Sequence, residues 1–234
     1  VYRSVFINYG INASRDDLTI GETGDILVIT TARDEAAIQP WMDWKFEKGY
    51  NVEKEVLATG SNVVQTVQDA YDANPNLLYV LMVGDWDDLK SNTTGSGSPM
   101  DPQVGCVVGG DDYADICVGR FSANAPAQVT TQVDKAITYE KTPDLTGTWY
   151  STATAVASNE GPGDDGEYDY AHNDVIFDDK LSPFTFDAFN DIYDPGASAS
   201  DVATAVNTGT SIINYTGHGY NQGWSTSGFS NSNV

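Results

Sequence analysis

The sequence predicts an α/β protein with a mostly parallel sheet and helices on both faces. Two continuous apolar runs, residues 25–30 and 77–83, have the composition of strands that are buried on both sides. Segments with the apolar spacing of helices separate such runs, and the same alternation restarts after about residue 146. Alternating strands and helices are typical of a parallel sheet that helices cover on both faces.

The first half of the chain is expected to form one α/β subdomain over residues 25–145, preceded by a polar, irregular arm over residues 1–24. In its first helix Ile38, Trp41 and Met42 share one face, which should point into the core. The predicted elements are a strand at 25–30, a helix from 34 to about 48, a strand at 52–57, a helix at 62–73, a strand at 77–83, a hairpin formed by 104–108 and 116–121, and a helix from 126 to about 140.

The second half, residues 146–234, is expected to form a second α/β subdomain. Residues 220–234 are rich in Ser, Asn and Gly and add no closing strand or helix, so this subdomain is expected to be incomplete. Its predicted elements are a strand at 152–157, a helix at about 167–181, a strand at 184–189, a helix at 200–206 and a strand at 210–215.

The charge of the chain is strongly unbalanced, with 34 acidic and 11 basic residues and a net charge of −23. This balance excludes nucleic acid and anionic membranes as favoured partners. No stretch of about 18 apolar residues is present, so no membrane insertion is expected. Three explanations of the acidity stay open: a saline or extracellular setting, carboxylate-rich Ca²⁺ sites, and a preference for a cationic substrate.

The two cysteines, Cys106 and Cys117, lie on either side of a predicted turn at residues 109–112. A disulfide between them would require an oxidising compartment, and two reduced, buried thiols are the equal alternative. Both interpretations are favoured over a catalytic role, because no His and Asp cluster surrounds either cysteine in the sequence.

The most informative motif is Gly217-His218-Gly219, which directly follows the last predicted strand. Open α/β sheets bind ligands at the carboxyl ends of their strands, and this motif places an imidazole there. Histidine has the unperturbed pKa nearest neutrality, so His218 is a candidate for proton transfer. The two flanking glycines would let a backbone N–H approach a substrate oxygen closely. A histidine in a surface turn is the alternative.

Two acidic residues follow the strand at 152–157 and add to this candidate site. Glu160 lies just beyond the strand end, where it could orient a histidine from a neighbouring strand; a turn carboxylate is the alternative. Asp169 begins the next helix, where the helix dipole alone would favour an acid, or where it could select a cationic side chain. His172 shares a face with Asp169 and is interpreted as a packing or polar contact.

Several sequence blocks occur in the order found in one known family. They are Val83-Gly84-Asp85, Val118-Gly119-Arg120-Phe121-Ser122, the helix from Gln132 to Glu140, Ala157-Ser158-Asn159-Glu160-Gly161, Tyr193-Asp194-Pro195-Gly196, Asn214-Tyr215-Thr216-Gly217-His218-Gly219, and Trp224 with Phe229. With these blocks the chain resembles the gingipain-type cysteine peptidases, which are relatives of the caspases. The resemblance covers residues 25–234 and implies a caspase-like fold with two side-by-side subdomains.

The resemblance also implies roles for the candidate residues. His218 would protonate the leaving amine, Gly219 would supply an oxyanion-hole N–H, and Glu160 would support the imidazole. Asp169 would bind the basic P1 residue of a protein or peptide substrate, most favourably Arg, and Trp224 would also line the substrate site. The nucleophilic cysteine of the family lies on the strand after this histidine, so the C-terminal remainder of the same catalytic domain is the expected partner that supplies it.

Structural Ca²⁺ is a further implication of the resemblance, since family members bind it. Carboxylates in loops are suitable hard ligands for calcium, although their spacing here is not that of an EF-hand. The candidate metal ligands are Asp85, Asp87, Asp88, Asp111 and Asp112.

The leading hypothesis is therefore the histidine-bearing part of a secreted or cell-surface cysteine endopeptidase that cleaves after Arg. One alternative is a gingipain-fold transpeptidase, or sortase, of a type IX secretion system. The other is a non-catalytic acidic binding module that kept the fold. As a chain without the family's nucleophile, the isolated 234 residues are expected to be inactive.

Overall fold

The structure is a computed structural model that describes residues 24–163 and 166–233. The chain divides into two compact units, with the division between Pro143 and Asp144. The arm predicted over residues 1–24 lies outside the described residues, except for Gly24. Within the described ranges, no helix combines the length and the apolar character that crossing a membrane requires.

The first unit contains a four-stranded parallel sheet in the order β2-β1-β4-β6. Two further short strands, β3 and β5, pair with each other in parallel. The elements in chain order are β1 (Asp25–Thr31), α1 (Glu35–Glu47), β2 (Val52–Leu57), β3 (Ser61–Asn62), α2 (Val64–Ala73), β4 (Leu77–Val83), β5 (Leu89–Lys90), β6 (Cys117–Phe121) and α3 (Pro126–Lys141).

The apolar runs of β1 and β4 alternate their side chains between two cores, one on each face of the sheet. Ile26 and Val28 pack with α1 and α3, whereas Leu27 and Ile29 pack with α2. Ile38, Trp41 and Met42 are buried in the first of these cores, as predicted. The fold class predicted from the sequence, a parallel sheet with helices on both faces, is confirmed for this unit.

The predicted hairpin of residues 104–108 and 116–121 is wrong. Asp101–Gly105 is a 3₁₀ helix with Pro102 in its first turn, and β6 adds in parallel to β4. The predicted turn at residues 109–112 therefore belongs to the connection that leads to β6, in which the N–H groups of Asp115 and Ile116 donate to the carbonyl of Gly105. Both cysteines are free thiols, so the predicted disulfide is wrong. The alternative of two reduced thiols holds, but neither is buried, since Cys117 is exposed and Cys106 is only partly buried.

The second unit contains a three-stranded parallel sheet in the order β8-β7-β9 and a short antiparallel pair, β10 and β11. Helix α5 packs on one face, where Val156 and Ile192 meet Val202 and Ala205, and α4 packs against β7 and β9. The elements in chain order are β7 (Thr152–Ala157), α4 (Asp169–Ile176), β8 (Ala188–Tyr193), α5 (Ala199–Thr208), β9 (Ile212–Thr216), β10 (Gly219–Tyr220) and β11 (Gly223–Trp224).

The strand predicted at residues 184–189 is present but is placed about four residues too early, since β8 spans Ala188–Tyr193 and overlaps the prediction only at residues 188–189. Helix α4 continues into a π-helical turn over Phe177–Leu181 and a 3₁₀ turn over Ser182–Phe184. Thr185 then takes a left-handed conformation with φ +103°, which a strand does not allow. The apolar spacing around Phe184 thus reflects the irregular end of the helix rather than a strand.

Candidate active site

The candidate site lies at the carboxyl edge of the second sheet, where β7 and β9 end side by side. The two strands pair in parallel as far as Ala157 and Thr216. Beyond this pair the N–H of Ser158 donates to the carbonyl of Thr216 at 3.0 Å. The loops that follow β7 and β9 therefore begin next to each other, and residues shortly after the two strand ends lie close together.

His218 and Glu160 meet at this edge. The distance from His218 Nε2 to Glu160 Oε2 is 3.0 Å, and the two side chains are 77% and 62% exposed. A carboxylate at this distance can hold an imidazole in one orientation and one tautomer. The structure thus places together the histidine and the acid that the sequence singled out separately.

Asp169 is attached to the same group through Ser158. The hydroxyl of Ser158 donates to Asp169 Oδ2 at 2.5 Å and accepts the backbone N–H of Glu160 at 3.1 Å. The N–H of Asp169 in turn donates to the carbonyl of Glu160 at 3.1 Å. Sequence reasoning missed Ser158; its place directly after a buried strand and two residues before Glu160 is the signal that could have found it.

The backbone of His218 is clamped by the residues around it. Its carbonyl accepts hydrogen bonds from the hydroxyl of Tyr215 and from the N–H of Ser225, the latter at 2.8 Å. The Tyr215 hydroxyl also accepts the N–H of Thr226 at 3.2 Å. Gly217 is needed at the turn because its φ is +155° and an added Cβ would lie 3.2 Å from the Tyr215 hydroxyl.

Gly219 and Trp224 complete the wall of this turn. They face each other as a pair in the β10–β11 hairpin. The ring of Trp224 stacks on Tyr215 with centroids 4.7 Å apart and contacts Phe229 at 5.5 Å. Trp224 therefore packs against Tyr215, the residue whose hydroxyl holds the carbonyl of His218.

We predict that Tyr215→Phe loosens this turn without unfolding the sheet. The change removes the hydroxyl that holds the His218 carbonyl but keeps the ring that stacks on Trp224. Two hydrogen bonds are lost, the one to the His218 carbonyl and the one from the N–H of Thr226. Each costs about 1 kcal/mol, so the amides of Ser225 and Thr226 should exchange with solvent roughly tenfold faster or more. Hydrogen–deuterium exchange measures this directly. Tyr220→Phe, at an exposed position of the same hairpin, is the matched control and should leave these rates unchanged.

Helix α4 fixes the end of β9 from the other side. The buried side chain of Asn173 accepts hydrogen bonds from the Asn214 amide and, at 3.0 Å, from the hydroxyl of Thr216. His172, which was expected to make a packing or polar contact, lies 2.9 Å from Glu167 through its Nδ1. The histidine on the helix is thus engaged by a local contact with Glu167, separately from the pair formed by His218 and Glu160.

The five aspartates predicted as calcium ligands lie in the first unit and do not form a ligand set. Within the described part of the chain, no group of three or more His, Cys, Asp or Glu residues could hold a metal ion. Both Oδ atoms of Asp88 accept hydrogen bonds from Arg33, and Asp85 accepts the hydroxyl of Ser122. Asp111 accepts a backbone N–H, and Asp112 accepts the amide of Gln103 at 3.1 Å. The residues do not fit a shared Ca²⁺ site, and calcium binding stays a prediction.

The strongest of these alternative contacts is an ion cluster at the carboxyl ends of β1 and β4. The guanidinium of Arg33 lies 2.6 Å from Asp34 and 2.7 Å from Asp88, and Asp34 is fully buried. Hydrogen bonds to these two carboxylates raise the pKa of Arg33 above its usual value. The cluster neutralises acidic groups within the fold, so that Asp34 and Asp88 are both engaged by Arg33.

Comparison with known proteins finds one matching family and several similar sequences. The family model described as peptidase family C25 matches residues 19–234. Gingipain R2 of Porphyromonas gingivalis is 34% identical over 244 aligned residues, which cover 100% of this chain and 33% of that protein. Lys-gingipain of the same organism is 24% identical over 85% of this chain and 12% of its own length.

Among solved structures, the crystal structure of the Arg-specific cysteine proteinase gingipain R is similar to this chain. The TM-score is 0.76 at 34% identity, over 90% of this chain and 50% of that one. The chain thus spans about a third of the curated relative and half of the solved chain. The match confirms the α/β, caspase-like fold class that the resemblance implied.

Proposed function

Because the chain belongs to peptidase family C25, we propose that it is the histidine-bearing part of a cysteine endopeptidase that cleaves peptide bonds after a basic residue, with Arg preferred. The observation that supports this proposal is the hydrogen-bonded group formed by His218, Glu160, Ser158 and Asp169 at one strand edge. It combines an oriented proton-transfer group with a carboxylate suited to a cation.

In the proposed mechanism His218 moves protons between the nucleophile and the leaving amine. Since Nε2 faces Glu160, Nδ1 is the nitrogen that would take the thiol proton and then give it to the amine. The N–H of Gly219 would donate to the carbonyl oxygen as negative charge develops on it during attack. Glu160 would stabilise the imidazolium that exists between the two proton transfers.

The nucleophile in this proposal is a cysteine outside these 234 residues. Both cysteines of the chain belong to the first unit, whereas His218 belongs to the second. In the described part of the second unit, β9 has β7 on one side and no strand on the other. Ile212 and Ile213 at this edge are 41% and 38% exposed, which suits a further parallel strand that would end in the nucleophile.

Asp169 is the proposed determinant of P1 specificity. It is partly buried at the first turn of α4, and one of its oxygens accepts the Ser158 hydroxyl, which leaves Oδ1 and a second lone pair of Oδ2 for the substrate. An Arg guanidinium donates to a carboxylate through two parallel hydrogen bonds, which favours Arg over Lys at such a site.

We further propose that the enzyme acts outside the cell or on its surface, where protein substrates with basic residues are available.

Peptide reporters with Arg, Lys or Ala at P1 test the proposal on the full-length protein that contains this chain. We expect cleavage in the order Arg, then Lys, with Ala at least about 100-fold slower, because a desolvated ion pair is worth a few kcal/mol. A thiol-alkylating reagent should abolish cleavage.

The alternatives give different results in the same assay. Transfer of the acyl group to an added amine in preference to water would indicate a transpeptidase. A folded protein that binds but does not cleave any of the three reporters would indicate a binding module, and equal rates on all three would contradict the role of Asp169.

A further inference from the structure

We propose that Ser158 is a positioning residue for P1 recognition, one that fixes Asp169 and ties it to the residue that supports the catalytic histidine. This inference rests on the proposed function and deepens it. It assigns to an uncharged side chain, which would not itself touch the reacting atoms, a share of the selectivity for a cationic P1 residue.

The position of Ser158 is fixed more firmly than that of its partners. Its side chain is only 4% exposed, and its N–H is bonded to the end of β9. Its hydroxyl has a single hydrogen, which it donates to Asp169 Oδ2. A hydroxyl that is anchored by the sheet thus holds one oxygen of the carboxylate, so that the other oxygen is presented in one direction.

Ser158 and Asp169 together also hold the backbone of Glu160. The N–H of Glu160 donates to the hydroxyl of Ser158, and its carbonyl accepts the N–H of Asp169. The N–H and the carbonyl of Glu160 are therefore both bonded to the two residues proposed to act in P1 recognition, Ser158 and Asp169, while the side chain of Glu160 contacts His218. The parts that recognise substrate and the part that orients the imidazole form one hydrogen-bonded unit.

This geometry predicts that loss of the Ser158 hydroxyl affects binding of a charged P1 residue more than it affects the stability of the site as a whole. Loss of the hydroxyl frees the Asp169 carboxylate to rotate, which weakens its bond to a charged P1 residue more than it disturbs a neutral one. A hydrogen bond to a charged group contributes about 1.5–3 kcal/mol, and each 1.4 kcal/mol is a factor of ten. We expect Ser158→Ala to lower kcat/KM on a P1-Arg reporter by about tenfold or more, mainly through a higher KM.

The experiment compares P1-Arg with P1-citrulline reporters, which have nearly the same shape but differ in charge. In the full-length protein, Ser158→Ala should reduce the ratio of the two kcat/KM values at least about fivefold. The matched control is Ser211→Ala, which removes a hydroxyl at the opposite end of the same sheet and should leave the ratio unchanged. In an Asp169→Asn background, Ser158→Ala should lower the rate less than about twofold further, because a residue that acts through Asp169 is not additive with it.

Two results would overturn the inference while leaving the proposed function intact. One is an equal loss on both reporters in the Ser158→Ala variant, with an unchanged ratio. The other is an undiminished effect of Ser158→Ala in the Asp169→Asn background. A wild-type protein that cleaves both reporters equally would instead overturn the proposed function, and the role of Ser158 with it.

Discussion

Replacing His218 with alanine in the full-length protein is expected to lower kcat/KM on a P1-Arg reporter by about 10³-fold or more. The imidazole would serve twice in each turnover, first as the acceptor of the thiol proton and then as the donor to the leaving amine. Glu160 cannot replace it, because its carboxylate lies on the far side of the ring, at Nε2. Steady-state kinetics and the rate of thiol alkylation as a function of pH measure the two proton transfers separately.

The chain offers a matched control in its only other histidine. His172 is also near a glutamate, with 2.9 Å between its Nδ1 and Glu167 Oε2, but it lies on α4 rather than at a strand end. His172→Ala should change kcat/KM by less than about threefold, since an exposed pair of this kind contributes little. A comparable loss in both variants would point to general destabilisation and contradict the catalytic assignment of His218.

The buried strands β1 and β4 and the inward face of α1 could be predicted, because the apolar pattern of each element lies within its own sequence and is repeated at several positions. β1 and β4 are apolar at nearly every position, and only a strand that is buried on both faces requires this. The inward face of α1 follows from helical spacing alone, and its predicted members are buried. Where one physical cause sets the whole pattern of an element, the sequence is sufficient to identify it.

The two errors in the fold have a different cause, because each element there is decided by distant pairing. The apolar residues of β6 fit a hairpin with a preceding segment as well as they fit the edge of β4, and the register with Tyr79 to Val83 decides between them. In the same way β8 is selected by its pairing with β7 rather than by its own composition. Short apolar segments do not identify their partners.

The sequence was sufficient to predict the main residues of the candidate site, but not the hydrogen bonds that hold them in place. In a parallel sheet the carboxyl ends of the strands share one edge, so Glu160 and His218 were expected near each other. Ser158 and Tyr215 were not identified, because a serine after a strand and a tyrosine within one have many structural uses. Their roles depend on hydrogen bonds to residues of other elements, which only the three-dimensional arrangement defines.

Asp169→Asn is expected to abolish the preference for a charged P1 residue. The change keeps the size of the side chain and can keep the hydrogen bond from Ser158, but it removes the negative charge that a guanidinium would meet. Loss of one partner of a close, partly desolvated charge pair costs about 2–5 kcal/mol, so kcat/KM on P1-Arg should fall about 100-fold. The rate on P1-citrulline should fall less than about threefold, because that side chain has no charge to pair.

The interpretation that must be excluded is that Asp169 only stabilises the start of its helix. Asp201 is the matched control, since it occupies the first turn of α5 and also accepts a serine hydroxyl, from Ser198 at 2.6 Å. If the helix dipole were the whole reason for Asp169, Asp169→Asn and Asp201→Asn would both cost about 0.3–1 kcal/mol of stability and neither would alter P1 preference. A change in the ratio of Arg to citrulline rates in the Asp169 variant alone would assign the charge to substrate, because both acids lie in the first turn of their helices and would feel the helix dipole in the same sense.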